Sequence, residues 1–259
     1  MPVPNLESKF AGAVFVAIFA GCLWLLWPAQ DATDEIAMAP DQDRSCVAPA
    51  DFAMPRIEQV ERAAVRRTAV TRYTLALSWS PGFCAREGDD TDNVMQCDGA
   101  TGRFGFVLHG LWPETDGRDW PQYCAPVRLV SRETLRQHLC MTPSPQLLQH
   151  EWTRHGSCMA ATPEEYFAAA AQAFDRVRFP DMVMLGGGRA VRVGDLRRAF
   201  VAANPSLSAD MISVQVRGGD WLDEVRLCLG PDQNYQSCPM AELGASDASP
   251  LRIEPIAQR

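Results

Sequence analysis

Large apolar residues alternate with small or polar ones at the start of the central region, which is the two-residue period of a strand. The clearest run is RYTLALSWS, where every second residue from Tyr73 to Trp79 is large and apolar. A second strand is predicted near Phe104, in FGFVLHG, and the polar stretch 84–97 between the two is expected to be a loop. Two late strands are predicted in MISVQV and WLDEVRLCLG.

Helix signals lie between these strands. Residues 131–139 predict a short helix with Ser131 as its cap. The clearest helix start is TPEEYFAAAAQAF, with Thr162 as cap and Pro163 at the first position. GDLRRAFVAAN predicts another helix. Strands and helices are mixed without regular βαβ alternation, so we expect an α+β fold in which an antiparallel sheet packs with several α-helices.

The cysteines change this picture by adding covalent cross-links. Of the 259 residues, 47% are hydrophobic, which is enough for one substantial core or two small ones. The chain has nine cysteines and no CxxC pair, and those after Cys22 are widely spaced. This pattern favours structural disulfides formed in an oxidising compartment.

The amino-terminal region predicts export. Residues 10–27 are apolar and uncharged, Lys9 precedes them, and acidic residues follow. This charge order places the rest of the chain outside the cytoplasm, either periplasmic or extracellular. Three alternatives stay open for the segment: a cleaved signal peptide, an uncleaved membrane anchor, or lipid attachment at Cys22. No clean cleavage site follows, and the segment is just long enough to span a bilayer.

The net charge limits how nucleic acid could be bound. It is -8, and several of the excess acidic residues fall between residues 31 and 43. A protein that holds nucleic acid mainly through a basic surface is therefore disfavoured. A local cationic pocket remains compatible with this charge, and it suits an enzyme that must release a polyanionic product.

The stretch HEWTRHGSC contains two of the four histidines. It resembles the zinc motif HExxH, but His150 and His155 are five residues apart, roughly 140° around a helix. Glu151 shares a face with His155, and Arg154 shares one with His150. These pairs indicate a site that moves protons beside an anion. A zinc hydrolase built from the two histidines and Glu151 is a weaker alternative. Gly156 is expected to end the helix in a left-handed conformation.

His109 closes the second predicted strand, and a Gly-Leu-Trp-Pro turn is expected after it. Functional groups concentrate at such rims, although a buried histidine bonded to the backbone is equally compatible. FVLHGLWPE and HEWTRHGSC resemble, in order, the two active-site motifs of the ribonuclease T2 family of secreted endoribonucleases. LALSWSPGFC and EVRLCLG are also similar to family segments. The resemblance covers roughly residues 72–240 and implies a bacterial-type member with a disulfide-bonded, T2-ribonuclease-like fold.

The resemblance also implies a reaction. Single-stranded RNA would be cleaved by its own 2′-hydroxyl, through a 2′,3′-cyclic phosphate to 3′-phosphate ends, with no metal and no cofactor. His155 would be the general base and His109 the general acid, with the roles reversed in the second step. Glu151 and Arg154 would stabilise the pentacovalent state, and His150 would assist phosphate binding. Glu151 would also orient His155 and favour its protonated form.

Three further residues are less firmly placed by the resemblance. Trp112 resembles the residue that stacks on a base, and Glu114 occupies the place of an acidic residue that hydrogen-bonds a base. Either could instead be structural, as a core side chain or a solvated turn residue. The family usually has Lys where this chain has Arg154, which keeps the charge but changes the reach. A catalytically impaired RNA-binding protein of the same fold is therefore the main alternative.

The family pattern suggests three disulfides and an organisation of the chain. The pairs are Cys84 with Cys97, Cys124 with Cys158, and Cys228 with Cys238; Cys46 with Cys140 is then only a guess. We expect a monomer with four regions, which are a signal peptide or N-terminal membrane anchor (1–30), an acidic, flexible tether (31–70), a ribonuclease catalytic domain (71–240) and a loose tail (241–259). RNA is the one partner expected besides a membrane tether through residues 10–27.

Overall fold

The computed structural model describes residues 46–117, 119–187 and 190–256. Within these ranges the strands form a four-stranded antiparallel sheet in the order β2-β1-β5-β4 and a two-stranded antiparallel sheet of β3 and β6. The strands are β1 (Arg72–Trp79), β2 (Phe106–Glu114), β3 (Val191–Arg192), β4 (Ile212–Arg217), β5 (Trp221–Leu229) and β6 (Pro250–Leu251). The four strands predicted from sequence are confirmed.

The α-helices of the described ranges are α1 (Ser80–Glu87), α2 (Val94–Cys97), α3 (Arg132–His138), α4 (Pro145–Arg154), α5 (Pro163–Asp175), α6 (Met182–Gly186) and α7 (Val193–Ala203). The two predicted caps are confirmed, since Ser131 accepts the Thr134 N–H at 3.0 Å and Thr162 accepts the Glu165 N–H at 3.2 Å. The loop predicted over 84–97 is wrong, because α1 and α2 occupy most of it. Proline at the first turn of α1 favours a helix start there.

The central strand β1 has different side chains on its two faces. Leu75 and Leu77 are fully buried in the hydrophobic core, and helices α4, α5 and α7 contact this sheet. Thr74, Ala76 and Ser78 point the other way, because successive side chains of a strand alternate between faces. The α+β class is therefore confirmed. The small residues of the second face leave room above the sheet for the site described below.

The residues before β1 are attached to the rest of the fold. We call residues 46–70 the N-terminal arm. Cys46 is bonded to Cys140, the Phe52 ring is buried, and the Arg66 backbone pairs with Gln122 in both directions. The prediction of a flexible tether is therefore wrong for residues 46–70, whose packing depends on long-range contacts that the local sequence pattern did not reveal. The rest of that tether, 31–45, and the predicted export segment lie outside the described residues.

The carboxyl-terminal region also packs against the fold. Strand β6 pairs with β3, and Leu251 is buried. The buried guanidinium of Arg197 donates to the carbonyl oxygens of Leu243 and Ala245, at 2.6 and 3.0 Å. The prediction of a loose tail is wrong for residues 241–256. Their backbone accepts hydrogen bonds from a buried arginine and pairs with strand β3.

Four disulfides cross-link the described residues, and three of them match the pairs that the family resemblance implies. The bonds are Cys84–Cys97, Cys124–Cys158, Cys228–Cys238 and Cys46–Cys140. The last pair, a guess from the sequence, is also present. None of the helices in the described ranges combines the length and apolar character that crossing a bilayer requires.

Candidate active site

A cavity of about 510 Å³ opens over the polar face of the sheet. All seven side chains to which the sequence assigns catalytic, phosphate-binding or base-binding roles line it: His109, Trp112, Glu114, His150, Glu151, Arg154 and His155. Two motifs about forty residues apart in the chain therefore meet at one site, and strand β5 and the segment near Glu242 complete its walls.

A β-bulge points His109 into this cavity. Ala76 of β1 pairs with Gly110, but the next residue, Leu77, pairs with Leu108, so His109 is the extra residue of β2. The bulge lets Leu108 and Leu111 both reach the core, with 2% and 0% exposure, while His109 lies on the cavity side. The strand continues to Glu114, so the predicted turn after His109 is wrong.

Glu224 of β5 binds His109 across the central strand. Its Oε1 atom lies 2.6 Å from His109 Nδ1, and it also accepts from the Ser78 hydroxyl at 3.1 Å. Ser78 and Ala76, the β1 residues between the two side chains, are small enough to let them meet. Arg226 donates to the other carboxylate oxygen at 2.7 Å. The imidazole is thereby fixed by one nitrogen, which leaves Nε2 for chemistry.

The charges around His109 favour its protonated form. Burial lowers the pKa of His109, but the hydrogen bond with Glu224 and the charges of Glu151 and Glu224 outweigh burial, so the pKa is raised above 6.5. Burial alone would raise the pKa of Glu224; its hydrogen bond with His109 and the charges of His109 and Arg226 instead lower it to about 2. The pair is therefore a carboxylate holding an imidazolium over an extended pH range.

His155 lies where α4 ends. Helix α4 begins after Ser144, whose hydroxyl accepts the Leu147 N–H at 3.2 Å, and His155 is its C-cap. Gly156 does not adopt the left-handed conformation predicted for it. It is required by packing instead, because a Cβ there would lie 2.5 Å from the Trp152 ring and 2.7 Å from the Tyr166 ring.

The surroundings of His155 favour its neutral form. Burial lowers the pKa of His155 well below 6.5, and the positive charges of Arg154, His150 and His109 lower it further. Its Nδ1 atom is buried and has no hydrogen-bond partner. The imidazoles of His109 and His155, which line one cavity, thus have pKa values displaced in opposite directions.

Glu151 faces His109 and Trp112. The Trp112 indole donates to Glu151 Oε2 at 2.8 Å, and Oε1 lies 3.7 Å from His109 Nε2. The carboxyl of Glu151 thus contacts His109 and Trp112, and not the His155 ring that it was expected to orient; that ring stacks on Trp112 at 5.5 Å. Gly110 makes room for the carboxyl, because a Cβ there would lie 1.9 Å from Oε2. Burial raises the pKa of Glu151 more than His109, His150, Trp112 and Arg154 lower it.

His150 and Arg154 present an imidazole and a guanidinium to the same cavity from α4. The His150 Nδ1 atom contacts the Glu58 carboxylate of the N-terminal arm in a short hydrogen bond. The Arg154 Nε atom is buried without a hydrogen-bond partner. An unpaired buried guanidinium nitrogen is costly and favours an anionic ligand that would pair with it.

The two candidate base-binding residues also line the cavity, with protein contacts of their own. Trp112 stacks on His155, and the Arg226 guanidinium lies 5.0 Å above its ring. Glu114 lies 3.8 Å from the buried Arg72, and burial raises its pKa more than that arginine lowers it. Base binding by either residue stays a prediction.

Sequence analysis missed three contributors to this site. Glu224 and Arg226 belong to the strand segment EVRLCL. They are charged, lie two positions apart and stand in an otherwise apolar segment, and this pattern could have indicated a functional face of the strand. Glu58 had no such signal. No group of three or more His, Cys, Asp or Glu side chains among the described residues is arranged to hold a metal ion.

The fold and the site together define a disulfide-bonded α+β protein. Its cavity holds two histidines whose pKa values are displaced in opposite directions, beside cationic side chains. The model of the Ribonuclease T2 family matches residues 70–187 of the chain. The matched segment contains both histidine motifs, whereas Glu58 and Glu224 lie outside it.

Individual relatives agree with this match. The chain is 36% identical over 126 residues to a probable ribonuclease of Haemophilus influenzae, covering 44% of this chain and 46% of that one. It is 38% identical over 100 residues to a ribonuclease of Aeromonas hydrophila, covering 38% and 42%. The chain thus spans less than half the length of these two relatives. In fold it is similar to RNase NT, solved in complex with 5′-AMP, with a TM-score of 0.55, 20% identity, and coverage of 73% and 100%.

Proposed function

We propose that this protein is a metal-independent endoribonuclease that cleaves single-stranded RNA through a 2′,3′-cyclic phosphate to 3′-phosphate ends. The observation that carries the proposal is the opposed displacement of the two histidine pKa values in one cavity. A transphosphorylation needs one group that accepts a proton and one that donates a proton at the same pH. The match to the Ribonuclease T2 family model and the nucleotide complex of the similar RNase NT support the substrate class.

In the first step neutral His155 removes the proton of the 2′-hydroxyl. The 2′-oxygen then forms a bond to the adjacent phosphorus, and the bond from phosphorus to the 5′-oxygen breaks. Protonated His109 gives its Nε2 proton to that leaving oxygen, while Glu224 holds the other ring nitrogen. The products are a 2′,3′-cyclic phosphate and a free 5′-hydroxyl, and each histidine has exchanged its protonation state.

The second step uses the histidines in the reverse sense. His109, now neutral, removes a proton from water, whose oxygen attacks the cyclic phosphate. The bond from phosphorus to the 2′-oxygen breaks, and His155 returns the proton to it. The product carries a 3′-phosphate, and both histidines regain their starting states.

Arg154 and His150 would bind the non-bridging phosphate oxygens during both steps. The buried, unpartnered Arg154 Nε supports this role, since an oxyanion would satisfy it. Glu151, with Oε1 at 3.7 Å from His109 Nε2, would help to keep that imidazole protonated, as its contribution to the raised pKa of His109 indicates.

The test is incubation of the purified protein with a defined single-stranded oligonucleotide, with and without EDTA, followed by analysis of the product ends. We expect cyclic-phosphate and then 3′-phosphate ends, and the same rate with the chelator. Products with 5′-phosphate ends would contradict the mechanism, and loss of activity with EDTA would favour the zinc alternative. Binding without cleavage would favour an impaired RNA-binding protein.

Single-histidine variants test the roles within that reaction. We expect His109→Ala and His155→Ala each to lower kcat by about 10²- to 10⁴-fold, the usual contribution of a general acid or base. His138→Ala is the matched control, because that histidine lies at the end of α3 and packs on Phe167 at 5.1 Å, away from the cavity. Circular dichroism checks that each variant folds.

We further propose that the protein acts as a monomer outside the cytoplasm, in the periplasm or beyond, with or without a membrane tether at residues 10–27. The four disulfides support an oxidising compartment. Cell fractionation together with size-exclusion chromatography and light scattering tests both statements; reduced protein in the cytosol or a stable dimer would contradict them.

A further inference from the structure

The N-terminal arm contributes a side chain to the candidate active site. Glu58 of the arm contacts Nδ1 of His150, and His150 lines the cavity. The arm precedes the family segment, which begins at residue 70. The contact therefore joins the site to a part of the chain that the family match does not include.

The arm is anchored on both sides of Glu58. Upstream, Phe52 is buried beneath the Arg132 guanidinium at 4.9 Å, and its carbonyl oxygen accepts from that guanidinium at 2.8 Å. The Arg56 backbone forms two hydrogen bonds with the Gln146 amide, at 2.9 and 3.1 Å. Gln146 lies one turn before His150 on α4, so this pairing sets the register that brings Glu58 to the imidazole.

Downstream, the arm is held against the loop that carries Cys124. The Arg66 guanidinium lies 4.6 Å over the ring of Trp120, which also lines the cavity, and the Arg67 side chain donates to the Cys124 carbonyl oxygen at 2.8 Å. Contacts at both ends restrict where the Glu58 side chain can go. Its contact with His150 is therefore a consequence of how the whole arm is seated.

We propose that Glu58 is a positioning residue that holds the His150 ring for phosphate binding. Its carboxylate accepts the Nδ1 proton, and when the ring is doubly protonated the Nε2–H donates to a phosphate oxygen. Glu224 holds His109 through the same ring atom on the opposite side of the cavity. The site thus carries two carboxylate–imidazole pairs, one serving proton transfer and one serving phosphate binding. This inference rests on the proposed function.

The test compares Glu58→Ala with Glu61→Ala, an exposed carboxylate three residues further along the same arm. Inorganic phosphate is titrated into protein labelled with ¹⁵N in its histidine rings, and the His150 signal is assigned with His150→Asn. We expect Glu58→Ala to weaken phosphate binding and to raise KM for the oligonucleotide by about three- to tenfold, the scale of one lost hydrogen bond. We expect kcat and the thermal midpoint to match those of Glu61→Ala.

Unchanged phosphate affinity and KM in Glu58→Ala would overturn the proposal, because the contact would then be structural only. Tighter phosphate binding would also overturn it, since Glu58 would then compete with the substrate phosphate. The phosphate titration needs no turnover, so it stays informative if the protein fails to cleave RNA. Cleavage combined with unaltered phosphate binding would remove this inference and leave the proposed function standing.

Discussion

At the scale of single residues, the roles of the two histidines follow from what surrounds each ring. His109 faces two carboxyl groups, whereas His155 is buried among cations. The same side-chain chemistry therefore supplies an acid at one position and a base at the other. The residue that distinguishes them most is Glu224, because it fixes the orientation of His109 and offsets the effect of burial.

Replacing Glu224 by Gln tests this positioning role. We expect the His109 pKa to fall, because burial lowers it and the opposing charge is gone. Activity needs protonated His109 and is lost as pH rises through that pKa, so the alkaline limb of kcat/KM against pH moves to lower pH. Asp223→Asn is the control, since this neighbouring carboxylate pairs with Arg86 and Arg217 instead. An unmoved alkaline limb would mean that Glu224 is only structural.

Arg154 stands where the family usually has lysine. If it supplies charge to the phosphate, Arg154→Lys should retain activity within about tenfold, and Arg154→Ala should lose about 10²-fold or more in kcat. Comparing kcat of the two variants shows whether the site needs only a positive charge or needs bidentate hydrogen bonding by a guanidinium. Steady-state kinetics on the oligonucleotide measure both. Equal losses in the two variants would show that the guanidinium geometry itself is required.

At the scale of elements, the end of α4 is held by its neighbours. Cys158 is bonded to Cys124, and the Tyr123 N–H donates to the Arg154 carbonyl oxygen at 2.8 Å. This bridge and hydrogen bond tie the turn after His155 to the loop that follows β2. Correct placement of the base relative to the acid thus depends on a covalent link between the two halves of the site.

Removing that link with Cys124→Ser and Cys158→Ser tests this dependence. We expect the free energy of unfolding to fall by about 2–5 kcal/mol, and kcat to fall because the base is no longer held. The control removes Cys84–Cys97, a bridge between α1 and α2. It should lower stability while kcat is retained at a temperature where both variants are folded. Equal kcat in the two variants would contradict the bracing role.

The sequence predicted the elements of this fold where the determinants are local. Ser131 and Thr162 cap their helices as expected, and the alternation in RYTLALSWS marks a strand. The bulge at His109 was not predictable, because Leu108 and Leu111 are three residues apart and both apolar, with no sign of which residue is extra. The stacking of His155 on Trp112 was likewise not predictable, because it joins two motifs about forty residues apart in the chain.

At the scale of the whole molecule, the contacts that complete the site join distant parts of the chain. Glu224 meets His109 only because β5 and β2 flank the same central strand, and Glu58 meets His150 only because the arm folds back on α4. Strand order and arm position depend on packing over long sequence separations, so local patterns did not reveal them. The motif residues themselves were predicted, and all of them line one cavity.

The charge balance of the molecule also fits the proposed reaction. The chain is acidic, with a net charge of -8, and the cavity lining carries His150, Arg154 and Arg226 beside Glu114, Glu151 and Glu242. A phosphate would pair with individual side chains there, and a polyanion would not be held along an extended basic surface. This arrangement favours release of cleaved RNA.

The pH dependence of kcat/KM for cleavage of a single-stranded RNA dinucleotide tests the central claim most directly, because it reports the ionisations of the free enzyme. Activity should rise as His155 loses its proton well below pH 6.5, and fall as His109 loses its proton above pH 6.5. The account therefore predicts a broad maximum with one limb on each side of that value. No cleavage at any pH, or a profile with only one limb, would contradict it.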